Sequence, residues 1–147
     1  MPYSRNYPAT VTEVLDPNIK LKPSALAALK KFRRAKPWRG SLVARWQIFQ
    51  TLNTELSAAY GIEPPTLILQ GNGKGDSGGS CYSPATHTIC ISGRLSVCTF
   101  LHEHMHARGA DEREACRWSI SVYARLWPAS FAKCGHEGHV LRLRRPS

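Results

Sequence analysis

"TFLHEHMHARGADEREACRWS", Thr99 to Ser119, is the stretch on which the reading of this chain turns. The 147 residues hold ten Asp and Glu against twenty Lys and Arg, yet four of those acids fall between Glu103 and Glu114, beside three of the six histidines. Apolar residues recur at helical spacing on both sides of Gly109, so the stretch reads as two helices with a glycine stop between them. In the first, Val97, Leu101 and Met105 recur every four residues and predict the inward face. The second runs from about Asp111 towards Trp127 and is ended by Pro128, with Ala115, Trp118, Val122 and Leu126 as its buried stripe.

Within the first helix, His102-Glu103-His104-Met105-His106 is an HExxH motif. Residues four apart share a face about 6 Å apart along the axis, so His102 and His106 can offer two imidazoles to one Zn²⁺. Glu103, rotated one step, can reach a bound water as general base without being a ligand. His104 points roughly opposite to His102. Catalytic zinc takes three protein ligands and an open fourth position, so a third ligand is required. Asp111, Glu112 and Glu114 follow Gly109. Asp-x-x-Glu at a helix start is a capping pattern, which accounts for Asp111 as N-cap and Glu114 at the third helical position. Glu112 is left over and is the expected ligand. Downstream, "CGHEGH" offers His136 and His139 as rivals, or Cys134, His136 and His139 as a small separate metal site. The plain alternative there is a polar turn before the tail.

These residues resemble a known family. HEHMH followed by EREACRWS is similar to the zincin metallopeptidases of the Glu-ligand type, the ImmA/IrrE-like group, whose HExxH precedes a helix of the form E-x-x-A-N-x-F-A, often leading to a proline. Glu112, Ala115, Cys116, Trp118 and Ser119 fit that form, with Pro128 following, and the resemblance covers roughly Thr88 to Pro128. It implies a minimal zincin-like fold in which His102, His106 and Glu112 bind zinc and Glu103 is the catalytic base. Cys116 stands where such proteins carry an Asn that can steady a ligand histidine. The short link also resembles the HExxHxxG turn of metzincins, whose third ligand likewise falls on Glu112. SprT-like DNA-associated proteases, with a third histidine after HExxH, are a weaker resemblance that would select His136 or His139.

The rest of the chain is read around this core. Residues 1–39 are expected to be a basic, partly irregular arm with a short helix over Ser24 to Lys36, residues 40–134 the metallopeptidase domain, and 135–147 a basic tail. SLVARWQIFQTLNTELSAAYGI sets Leu42, Trp46, Phe49, Leu52 and Leu56 on one helical stripe, stopped by Gly61. PPTLILQ reads as a short strand, GNGKGDSGGS as a mobile loop, and CYSPATHTICIS as two strands about Pro84-Ala85. GDSGG matches the nucleophile segment of chymotrypsin-like proteases, but nothing else of that family is recognisable. The glycines lack the GxxxxGK[ST] of a phosphate loop. The expected architecture is α+β, with a small, mainly antiparallel sheet packed on an N-terminal helix. Substrate would pair with an edge strand from His87 to Ser92. Tyr82, His136 and His139 are candidate oxyanion donors; Tyr123 lies three turns from Glu112.

Composition narrows the class. At 42% apolar and 20% charged residues, the chain suits a soluble globular domain. No apolar run approaches the ~18–20 residues of a span, and the N-terminus has no hydrophobic signal segment. The five cysteines form no CxxC pair, which favours a reducing, cytoplasmic setting. No membrane partner is expected. The net charge of +10 gathers in Lys20 to Arg39 and in RLRRPS. Such segments either contact nucleic acid non-specifically through counterion release or are simply a solvated surface. The expectation is a zinc-dependent endopeptidase acting on peptide or protein. The alternative is a basic, nucleic-acid-associated module with structural zinc or lost protease activity.

Overall fold

The computed structural model describes residues 11–70, 80–135 and 142–143; the glycine-rich loop 71–79, with its two look-alike motifs, and the histidines His136 and His139 lie outside them. In chain order the elements are α1 (Val11–Val14), α2 (Pro23–Arg34), α3 (Leu42–Ala59), β1 (Thr66–Gln70), β2 (Cys81–Ser83), β3 (Thr88–Ser92), α4 (Val97–Ala107), α5 (Glu112–Leu126), α6 (Pro128–Ala132), β4 (Cys134–Gly135) and β5 (Arg142–Leu143). The class is α+β. The chain forms two compact units, Lys20–Ser96 and Met1–Ile19 with Val97–Ser147, whose limits differ from the boundaries at 40 and 134 expected from sequence. Among the described residues, no helix is long and apolar enough to cross a membrane.

In the unit Lys20–Ser96, Pro23 opens α2 at its first helical position, where its missing N–H costs nothing. Ala25, Ala28, Leu29 and Phe32 face inward, and Phe32 meets Phe49 of α3 edge to face at 5.1 Å. Ser41 caps α3 by accepting from the Ala44 N–H at 3.1 Å. The α3 stripe buries only from Phe49 onward; Leu42 is 37% exposed and Trp46 half-buried, because the first turns of the helix outrun their cover. Gly61, at φ +67°, ends α3 in a Schellman turn, with Gly61 N–H donating to Ala58 O (3.2 Å) and Ile62 N–H to Ser57 O (3.0 Å). The buried Asn53 amide then donates to Pro65 O at 2.8 Å and fixes the entry to β1.

The sheet order is β1-β3-β2, with β1 parallel to β3 and β2 antiparallel to it. Two sequence expectations are corrected here. The sheet is mixed rather than mainly antiparallel, and its longer pairing, Thr66–Gln70 on Thr88–Ser92, is the parallel one. The strand expected to offer a substrate edge, His87 to Ser92, is central and paired on both sides. Alternation of Ile89 and Ile91 reports a buried face, not a position in the sheet, so neither error was avoidable from pattern alone. The β2–β3 turn ends at His87, at φ +48°, whose ring is held on both sides: Tyr82 Oη lies 2.8 Å from Nδ1 and Glu63 O lies 2.6 Å from Nε2.

In the other unit, residues 11–14 correct the reading of the N-terminal arm as irregular. Val11 and Val14 are buried with Cys116 and Ile120 of α5. The Asp16 N–H donates to Ser121 Oγ at 2.8 Å and Arg125 to Ile19 O at 3.0 Å, pinning the segment along α5. One turn is too short to show a period, so the sequence hid it. In α4 the buried face is Phe100, Leu101 and His104; Val97 and Met105 are half-buried, so the predicted face is rotated. The cause is His104: fully buried, packed 5.8 Å from the Phe100 ring, it counts as polar in a periodicity reading. The α5 stripe Ala115, Trp118, Val122 and Leu126 is buried as expected. The Arg108 guanidinium lies 4.2 Å over the Trp118 ring and links the end of α4 to α5.

Candidate metal centre

The centre forms where α4 ends and α5 begins. Gly109, at φ +93°, takes the left-handed conformation that other residues resist, and two backbone bonds close the turn: Gly109 N–H to His106 O (2.9 Å) and Ala110 N–H to Met105 O (3.2 Å). Asp111 then caps α5, accepting from the Glu114 N–H at 2.8 Å, while the Glu114 carboxylate accepts from the Asp111 N–H at 3.2 Å. This is the capping box expected from the sequence. With those two acids committed to the helix start, Glu112 faces back towards α4.

His102, His106 and Glu112 converge. Their ligating atoms lie within 4.8 Å of one another, and this group could hold a metal ion. His106 Nε2 is 3.2 Å from His102 Nε2 and 3.0 Å from Glu112 Oε2, while Glu112 Oε1 is in direct contact with His102 Nε2. Donors bound at ~2.0–2.1 Å on tetrahedral corners stand about 3.3 Å apart, close to the two separations at His106 Nε2, whereas His102 and Glu112 would have to move apart to hold an ion between them.

Hydrogen-bond chemistry gives the sharper test. His106 Nδ1 lies 3.0 Å from Ala110 O. A carbonyl only accepts, so Nδ1 carries the hydrogen and the neutral ring presents an unshared pair at Nε2. That pair faces a carboxylate and a second imidazole nitrogen. Two electron-rich groups, His106 Nε2 and the Glu112 carboxylate, therefore stand 3.0 Å apart and repel unless a cation, proton or metal, sits between them. The donor set is two imidazoles and one carboxylate on partly exposed side chains, a group that could hold a metal ion.

Two neighbours tune the group. Cys116, fully buried on the first turns of α5, sets its sulfur 3.8 Å from His102 Nδ1. Burial, aided by the negative charge of Glu112 and then by Cys98 and Glu103, pushes its thiol from 9.0 up to about 12. It is therefore a neutral S–H, a weak partner where the resembled family has an amide. Glu103 is itself buried at 7% exposure, and its charge, like that of Glu112, bears on the Cys116 thiol.

His102, His106 and Glu112 are thus brought together as the sequence predicts, and His104 is turned into the core. His136 and His139 lie outside the described residues, as does the Cys134 side chain. Tyr82 is engaged by His87. Tyr123 stacks on Trp127 at 5.6 Å. Sequence reasoning missed the Ala110 carbonyl; the signal was available, since a glycine stop three residues past a ligand histidine frees a carbonyl for its ring. A cleft of about 170 Å³ between α2 and α3, lined by Phe32, Ile48 and Leu52, includes none of these residues. No family model matches the chain, and neither does any curated protein or solved structure.

Proposed function

We propose that this protein is a zinc-dependent metallopeptidase with His102, His106 and Glu112 as ligands and Glu103 as general base. The observation that carries the reading is the convergence of two imidazole Nε2 atoms and a carboxylate, with the His106 tautomer fixed by Ala110. A divalent ion held there would lower the pKa of a bound water towards ~7 and polarise a substrate carbonyl. The remaining work belongs to the chain. Glu103 takes the proton of the attacking water and returns it to the departing amine, so that the C–N bond breaks as the amine is protonated. A zinc that only held structure would have no need of a carboxylate next to a ligand in sequence, which favours hydrolysis over the alternative of a purely structural metal.

Metal analysis combined with peptidase assays tests this. Wild type is expected to hold one zinc per chain, Glu112→Ala to lose it, and His136→Ala to keep it. Glu103→Gln should retain metal and lose cleavage of an unfolded protein substrate. Loss of zinc in His136→Ala but not in Glu112→Ala would replace the third ligand. Equal cleavage by wild type and Glu103→Gln would end the mechanism.

A further inference from the structure

Charge on the unit Lys20–Ser96 is distributed very unevenly. From Pro17 to Thr54 the chain has nine Lys or Arg and no Asp or Glu. On α2 the apolar face Ala25, Ala28, Leu29 and Phe32 is buried, which leaves Lys30, Lys31 and Arg34 exposed on the solvent side, followed by exposed Lys36 and Arg39. Among the described residues Lys31 pairs with Glu55 at 3.0 Å, while Lys30, Arg34, Lys36 and Arg39 are exposed in a segment that holds no acid of its own. Cations of like sign gathered without acids repel one another, an arrangement a fold has no use for but a polyanion stabilises.

Trp38 stands between Lys36 and Arg39 and is 52% exposed. Its turn is ordered by bonds that leave the indole in solvent: Arg39 N–H donates to Lys36 O at 2.9 Å, and Arg45 Nε donates to Pro37 O at 2.7 Å. Lys36 takes φ +56° to enter it. An exposed indole on a fastened turn, flanked by two cations and continuing a row of cations on a helix, combines the two elements that bind single-stranded nucleic acid without sequence preference, a stacking platform and a basic track. Leu42 and Val43, also exposed nearby in sequence, would suit an anionic bilayer as well. The cations, however, are strung along the chain from Lys30 and Arg34 on α2 through Lys36 to Arg39 in the turn, with Trp38 set among them, whereas Leu42 and Val43 come after that turn. A line of charge with a π face in it fits a strand better than a plane.

We propose that the α2 solvent face and the Lys36–Arg39 turn form a docking surface for single-stranded nucleic acid, with Trp38 stacking on a base and Lys30, Arg34, Lys36 and Arg39 contacting phosphates. This surface does not involve the His/Glu group, so the proposal stands or falls independently of the peptidase reading. The test is fluorescence anisotropy of the full chain with a labelled oligothymidylate of roughly twenty nucleotides, measured with and without chelator. Binding is expected in both, with a log–log salt slope near −3 for four phosphates at about 0.7 each. Trp38→Ala should weaken it about tenfold while Trp38→Phe largely preserves it. Lys30→Gln with Arg34→Gln should flatten the slope by about 1.4. These side chains are exposed, and unchanged circular dichroism would show that the variants fold. Absence of binding at low salt, indifference to Trp38→Ala, equal affinity for a duplex, or binding to phosphatidylserine vesicles but not to the oligonucleotide would each overturn the proposal.

Discussion

His87 and His106 are held by the same device and end in opposite chemical situations. Each is gripped by a backbone carbonyl that lies just beyond a glycine stop: Glu63 O, after Gly61, is 2.6 Å from His87 Nε2, and Ala110 O, after Gly109, is 3.0 Å from His106 Nδ1. In both rings the carbonyl fixes which nitrogen carries hydrogen. The other nitrogen of His87 meets a hydroxyl, Tyr82 Oη at 2.8 Å, which can donate, so the ring is satisfied and the β2–β3 hairpin is tied to the start of β1. The other nitrogen of His106 meets only a carboxylate and an imidazole nitrogen. A histidine between an acceptor and a donor is a structural strut. One whose unprotonated second nitrogen is aimed at a carboxylate is set to take a cation, and that contrast separates the two sites without reference to any motif.

The largest effects should break the contrast outright. His106→Ala and Glu112→Ala are expected to reduce zinc affinity by more than the roughly 100-fold that loss of a supporting contact can cause, and to abolish the rise in melting temperature on adding zinc. His87→Ala should leave both measurements unchanged while lowering stability. Parity between His87→Ala and His106→Ala in zinc titration would show that the tautomer argument distinguishes nothing.

His102 is the intermediate case, because its Nδ1 faces the Cys116 sulfur rather than an oxygen. The thiol is raised from 9.0 to about 12 in the folded chain, so from about pH 9 upward the unfolded chain releases a proton that the folded chain keeps. Stability conferred by the neutral thiol is therefore complete below pH 9 and lost as pH rises towards 12, at about 1.4 kcal/mol per pH unit. Denaturant titrations of the metal-free protein at pH 8 and pH 10 should show a steeper fall for wild type than for Cys116→Val. At pH 7.5 the same variant should bind zinc up to about tenfold more weakly, the low end for a supporting contact. Identical alkaline slopes would mean that the thiol ionises as readily folded as unfolded.

A smaller effect falls on the strut. Tyr82→Phe removes the donor to His87 Nδ1 and is expected to cost about 1 kcal/mol, read by urea denaturation, with zinc affinity unchanged. A change in zinc affinity there would couple the hairpin to the metal centre in a way the contrast does not allow.

What was legible in the sequence follows from range. The pairing of His102 with His106 rests on helical geometry over four residues, and the choice of Glu112 rests on a capping box that claims Asp111 and Glu114. Both are local, and the structure has both the helical spacing and the capping box. The α5 stripe was legible because fifteen residues carry its period. What failed was set by tertiary packing: the central place of β3, the parallel pairing of β1, the burial of Val11 and Val14, and the rotation of α4 about a buried His104. Each needs a partner distant in sequence. The position of Cys116 opposite His102 was half legible, since the resemblance put it where an amide would stand, but its distance and its protonated state required α4 and α5 together.

The finest test sets the two glycine stops against each other. Gly61 and Gly109 have φ of +67° and +93°, and a Cβ built on either meets nothing within 4 Å. Substitution by alanine thus costs only the left-handed backbone, about 1 kcal/mol, and nearly the same at both. Gly61→Ala and Gly109→Ala should accordingly have equal denaturation midpoints within a few tenths of a kcal/mol. They should differ in zinc affinity, because relaxing the backbone at residue 109 moves the Ala110 carbonyl off His106 Nδ1 and releases the ring to its other tautomer. A severalfold loss confined to Gly109→Ala would show that the carbonyl holds the ligand. Equal affinities would mean that the metal orients the ring by itself, and that the bond to Ala110 is a consequence of the turn rather than its use.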